Sequence, residues 1–154
     1  MDGKRFAEKV VTGGGSGIGA ATAYRFGREG ATVIAVGRTE DKLKHAAAGA
    51  PDGSVIVPRV ADVSDESAIT ALIAGVAEEY GRLDVLVNNA GIGASGTVEQ
   101  TDTATWRQVL AVDVDGVFFA SKAALPHLRR VGGCIVNVGS VSGLGASSGQ
   151  PRMF

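Results

Sequence analysis

Cysteine occurs once in the 154 residues, at Cys134, so neither an intrachain disulfide nor a multi-cysteine metal site can form. Histidine is almost as scarce: His45 and His127 are the only two, and beside one cysteine they do not make a structural zinc set. Long apolar runs are missing too. Nothing approaches the roughly 18 consecutive apolar residues of a membrane helix, and residues 1–5 lead into no apolar signal core, so a cytoplasmic protein without a membrane partner is expected. Neither sign of charge prevails: 15 Lys and Arg against 16 Asp and Glu leave a net charge of -1, which gives no electrostatic footprint for nucleic acid. With 45% hydrophobic and 20% charged residues the composition is that of one soluble globular domain, and it excludes disorder, collagen and coiled coil. Glycine is what the chain has in excess, 23 residues, about twice ordinary usage.

Four short β-branched runs, at 32–36, 54–57, 83–87 and 134–138, are each bounded by Gly, Pro or Asn and read as strands. Three are almost continuously apolar, as strands covered on both faces are. Helical patterns separate them. The clearest starts at Ser64 as an N-cap, places Asp65 and Glu66 where the helix dipole favours acids, spaces Ile69, Leu72, Ile73, Val76, Ala77 and Tyr80 on one face, and stops at Gly81. Alternation of this kind predicts an α/β fold: a parallel sheet with helices on both faces, joined by right-handed crossovers. No repeat or linker divides the chain.

The glycines concentrate after a short apolar run, Val10-Val11, in Thr12-Gly13-Gly14-Gly15-Ser16-Gly17-Ile18-Gly19, which opens a helix ending near Gly30. A strand turning through glycines into a helix N-terminus brings unpaired backbone N–H groups close to a phosphate, and the helix dipole adds to the attraction. The spacing is T-G-x-x-x-G-x-G; G-x-G-x-x-G from Gly13 would require glycine at Ile18. A tight turn with no ligand is the competing reading. Asp62-Val63 follows the third strand and Asn88-Asn89-Ala90-Gly91 the fourth, at the strand ends where open α/β sheets bind ligands. Asp62 could accept from an adenine amino group or simply start a helix. Asn88 and Asn89 also suit a turn of residues tolerant of left-handed backbone.

In their order and spacing, the segment from Thr12 to Gly19, Asp62-Val63, Asn88-Asn89-Ala90-Gly91 and Ile135-Val136-Asn137-Val138-Gly139-Ser140 make the chain resemble the short-chain dehydrogenase/reductase family over essentially its whole length. The resemblance implies a Rossmann-type sheet, a nicotinamide dinucleotide, and hydride transfer to or from a small carbonyl or alcohol substrate with no metal. It implies that Thr12 and residues 88–91 support the central strands. Gly13, Gly15, Ser16, Gly17, Ile18, Gly19, Asp62, Val63, Asn89, Ala90 and Gly91 would then lie along the cofactor, with the pyrophosphate near Ser16, Gly17 and Ile18. Ser140 aligns with the serine that hydrogen-bonds the substrate oxygen; the neighbouring Ser142 aligns less well. Without the resemblance, Ser140 reads as a serine closing a strand before Gly143 and Gly145.

An acid about 20 positions beyond such a loop holds the NAD ribose, whereas an arginine accommodates the NADP phosphate. The chain has Gly37 and then Arg38 there. Arg38 precedes the helical segment 40–49, where a cation gains nothing from the dipole, so NADP is expected, with NAD as the alternative and a merely solvated Arg38 as the reading without a ligand. Residues 103–130 carry two apolar stripes: Trp106, Leu110, Val117, Ala120 and Ala124 on one, and Val114, Phe118, Leu125 and Leu128 on the other. One stripe should cover the sheet and the other a second subunit, which matches the family's habit of pairing through this helix; a homo-oligomer is expected. Asp113 falls on the sheet-facing stripe, costly to bury unless hydrogen-bonded or reaching a polar cleft. It aligns with a family position that is usually asparagine and supports a proton path. Ionised aspartate accepts there but cannot donate.

The family's acid/base tyrosine, with a lysine four residues on, should follow Ser140. Residues 141–154 contain neither, Tyr24 and Tyr80 belong to early helices, and Lys122 lies on the preceding helix. Residues 1–154 therefore read as one dinucleotide-binding domain incomplete at the C-terminus, truncated after the fifth strand and expected to turn over no substrate itself. A catalytically silent nucleotide-binding or assembly module is the alternative. The first strand reads as unusually short.

Overall fold

Residues 7–140 are described by the computed structural model; Ser142, Gly143 and Gly145 lie outside them. Five strands, β1 (Glu8–Thr12), β2 (Thr32–Gly37), β3 (Val55–Val60), β4 (Val85–Asn88) and β5 (Cys134–Asn137), form one sheet in the order β3-β2-β1-β4-β5. Every pairing is parallel. The crossovers carry α1 (Gly17–Arg28), α2 (Glu40–Ala48), α3 (Glu66–Tyr80), α4 (Thr103–Leu110) and α5 (Gly116–Val131). Strand order reverses between β1 and β4, and a ligand crevice opens at such a reversal, beyond the strand C-termini.

Alternation along the strands sends side chains into two cores. Val10, Ile34, Val36 and Leu86 face α3 and α5 through Ile69, Ile73, Ala120 and Ala124. Val11, Val33, Val85 and Val87 face α1 through Ala23. Fully burying each large aliphatic side chain contributes about 1.5–3 kcal/mol, which holds the central strands and so fixes the loops at their ends.

β1 is longer than its apolar run suggested, because it begins with Glu8 and Lys9. Lys9 is nevertheless buried, its ammonium 5.0 Å from the centre of the Phe26 ring. β3 runs through Pro58 to Val60; at the sheet edge a missing N–H breaks no ladder bond, so proline did not end the strand. The N-cap of α3 is Asp65, whose side chain accepts from the Ala68 amide, and not Ser64, which is engaged by Asp62 instead. The segment read as one regular helix over 103–130 is interrupted: α4 and α5 are joined by a π-helical turn, Ala111–Asp115. That extra residue shifts the phase, so Val109, Val112, Gly116, Ala120, Ala124 and Leu128 are the buried row. Leu128 thus belongs to the core and not to the outer stripe, while Val114, Phe118 and Leu125 are exposed as expected.

At the opposite, N-terminal edge of the sheet, Asp84 is buried just before β4. It accepts from the Ala7 and Glu8 amides, both at 2.9 Å, and from the Arg82 guanidinium. Burial pushes its carboxyl up, but the Arg82 pair and the two amides outweigh burial and hold it below the usual aspartate range.

Candidate cofactor and substrate site

Thr12 ends β1 and ties the reversal together. Its hydroxyl accepts from the Asn89 and Ala90 amides, both at 3.0 Å, and donates to the Val87 carbonyl at 3.3 Å. The Asn89 side chain returns a hydrogen bond to the Thr12 carbonyl at 2.9 Å. Asn88 reaches the other way, donating to Asn137 Oδ1 at 2.8 Å and Ser121 Oγ at 3.1 Å, and so joins β4 to β5 and α5. The two asparagines are therefore ties between strand ends. Ser121 escaped the sequence reading; its only signal was a small polar residue beside Ala120 within an apolar stripe.

The glycine loop owes its shape to close approach. A Cβ on Gly19 would stand 2.2 Å from the Gly13 carbonyl oxygen, and one on Gly13, where φ is +65°, would stand 2.8 Å from the Asn89 amide nitrogen. Gly17 differs, with a left-handed φ of +51° and nothing within 4 Å, so its backbone faces open space. Ser16 does not cap α1 with its side chain, and the first turn of α1 holds no acid, unlike those of α2 and α3. The positive end of that dipole is left for an anion from outside. Ile18 beside it is 65% exposed, an apolar side chain set against the same open space. This cradle fits the pyrophosphate of a dinucleotide.

Two hollows continue from it along the strand ends. The first, about 130 Å³, is lined by residues that include Gly13, Arg38, Asp62, Val63, Ala90 and Gly91. Asp62 Oδ1 accepts from the Ser64 amide and hydroxyl at 3.0 and 2.7 Å, while Oδ2 faces Arg38 Nη1 at 4.0 Å. Asp62 thus performs the helix-start role and lines the crevice as well. Val63 is mostly buried, packed against Gly116 of α5, where a Cβ would meet it at 2.8 Å. The second hollow, about 460 Å³, is lined by Asn88 to Gly93, Asp113, Val117 and Val138 to Ser140. Asp113 sits on the π-helical turn, and its Oδ1 accepts from the Ile92 amide at 2.9 Å, which satisfies the partly buried carboxylate. Ser140 stands exposed on the rim. All the expected site residues thus fall along one edge of the sheet, with Gly15 and Ser16 on the loop's outer turn.

The sequence profile of the family described as short chain dehydrogenase matches residues 9–152. This chain belongs to the short-chain dehydrogenase family. It is 47% identical over 147 residues to meso-2,3-butanediol dehydrogenase of Serratia marcescens, covering 94% of this chain and 58% of that protein. The crystal structure of levodione reductase superposes with a TM-score of 0.87 at 33% identity, over 96% of this chain and 58% of that one. An alcohol dehydrogenase from the archaeon Thermococcus sibiricus, complexed with 5-hydroxy-NADP, superposes at 0.80 with 29% identity, over 85% of this chain and 57% of its own. The chain therefore spans just under three fifths of the length of each of these relatives. Among the described residues, no helix is long and apolar enough to cross a membrane, and no cluster of His, Cys, Asp or Glu could hold a metal.

Proposed function

We propose that residues 1–154 form the dinucleotide-binding domain of a cytoplasmic NAD(P)-dependent oxidoreductase acting on a small carbonyl or alcohol, with NADP preferred to NAD. The observation that carries this is the pairing of an uncapped, acid-free helix N-terminus at Ser16 to Gly19 with an arginine, and no acid, at the end of β2. Ser16, Gly17 and Ile18 would hold the pyrophosphate, Arg38 the additional ribose phosphate, Asp62 and Val63 the adenine, and Asn89 to Gly91 the central part of the cofactor. The nicotinamide, when bound, supplies or accepts the hydride. Ser140 would donate a hydrogen bond to the substrate oxygen from the rim of the larger hollow. Asp113 holds the Ile92 amide and so fixes the loop after β4.

The chain's own tyrosines stand elsewhere: the Tyr24 hydroxyl donates to the Ala46 carbonyl at 2.8 Å, and Tyr80 ends α3 at the far edge of the sheet. Neither can protonate an oxygen held by Ser140, so these residues bind and orient without providing the general acid. The exposed row on α5 would pair with a second copy.

Titration of the chain with NADP and NAD tests the reading. A charge-assisted hydrogen bond contributes about 1.5–3 kcal/mol, so Arg38→Ala should weaken NADP binding by about one to two orders of magnitude and leave NAD binding nearly unchanged. Equal losses, or tighter NAD binding by the parent chain, would overturn the assignment of NADP.

A further inference from the structure

The glycine loop is pressed from its outer side by α2. A Cβ on Gly15 would stand 3.2 Å from the Lys42 Cβ and 3.4 Å from the Leu43 backbone nitrogen, so Lys42 leaves the helix directly beside the residue that precedes Ser16. Lys42 is exposed, and it makes no ion pair among the described residues. Its neighbours are committed otherwise: Glu40 is held by Lys44 at 2.7 Å, and Asp41 projects about 100° away around the helix. A cation this early in a helix is disfavoured by the dipole, so α2 itself gives Lys42 no stabilising role.

Arg38, on the approach to the same helix, is not wholly available. Its guanidinium faces Asp62 at 4.0 Å, which offsets part of its charge. A phosphate monoester carries about 1.5 to 2 negative charges near neutral pH, more than a partly neutralised arginine can balance. We propose that Lys42 is a second specificity-determining residue for the cofactor, supplying from the glycine-loop side the positive charge that Arg38 and Asp62 leave unmet at the ribose phosphate. The inference rests on the NADP reading and adds to it a residue that no motif marks.

The test is calorimetric titration of the full chain and of Lys42→Ala, Lys42→Arg and Arg38→Ala with NADP, NAD and 2′,5′-ADP, the last carrying the ribose phosphate without nicotinamide. Lys42→Ala should weaken NADP and 2′,5′-ADP about five- to ten-fold, leave NAD unchanged, and recover in Lys42→Arg. The difference should shrink at high salt, since the ammonium is exposed. Thermal melting checks the fold, which this surface substitution should not disturb. An unchanged NADP affinity, or an equal loss for NAD, overturns the role of Lys42. If Arg38→Ala selectively weakens NADP while Lys42→Ala does not, only this inference falls. If Arg38→Ala is without selective effect, or the chain binds neither nucleotide, the NADP reading falls with it.

Discussion

Asp84 carries a charge inside the protein and makes it useful, because two backbone amides and one guanidinium converge on a single carboxylate. Asp84→Ala orphans the Ala7 and Glu8 amides and leaves Arg82 alone, which should cost about 3 kcal/mol in urea unfolding near pH 7. The carboxyl's folded pKa lies below its unfolded value, so its contribution is fully present above the usual aspartate pKa and lost as pH falls through the depressed one. The gap between parent and variant should therefore narrow in acid; a gap independent of pH would show that shape and not charge is at work. The placement of Arg38 beside the crevice was legible from the sequence because its distance from the glycine loop is set by one helix and one strand. The partners of Asp62 and Asp113 were not. Asp62 bonds locally to Ser64, and Asp113 takes the amide of Ile92, a backbone donor in a loop whose path no side-chain pattern records.

Among the elements, those built on short-range periodicity were read well and those set by tertiary context were not. The helix after Asp62 and the strand over 32–36 follow from apolar spacing alone, and the run at 83–87 contains β4, which starts two residues later, at Val85. β1 was underestimated because Lys9 looks like a surface residue until the Phe26 ring is placed beneath it. The π-helical turn at Ala111–Asp115 was invisible, since one extra residue per turn leaves no compositional mark. Two glycines show how context reverses one substitution. Gly19→Ala drives a Cβ into the Gly13 carbonyl, and should destabilise the chain by about 1–3 kcal/mol and weaken dinucleotide binding together. Gly75→Ala, in the exposed face of α3 with nothing within 4 Å, should instead stabilise by about 0.5–1 kcal/mol. Thermal melting of the two variants, with and without NADP, checks both signs.

At the scale of the whole molecule, the π-helical turn and α5 together set an apolar row outward: Val114, Phe118 and Leu125 are 55%, 59% and 39% exposed, with the Lys122 ammonium 5.8 Å from the Phe118 ring. A contiguous row of this kind fits an interface between copies. Light scattering at micromolar concentration should find the parent chain associated and Phe118→Glu shifted towards monomer; a monodisperse parent monomer would rule the interface out. The order β3-β2-β1-β4-β5 also dictates a sequence in time. On a ribosome, β1 can dock on β2 once the chain through Gly37 has emerged, but its other edge waits for β4, with Lys9 pairing to Val85 and Val11 to Val87. Such distant parallel pairing is slow, because loop closure precedes the contacts that reward it. Until Asn89 is translated and reaches back to Thr12, the nascent glycine loop lacks its anchor. The glycine loop thus gains its tie to Asn89 only after β4, more than 70 residues further along the chain, has been made.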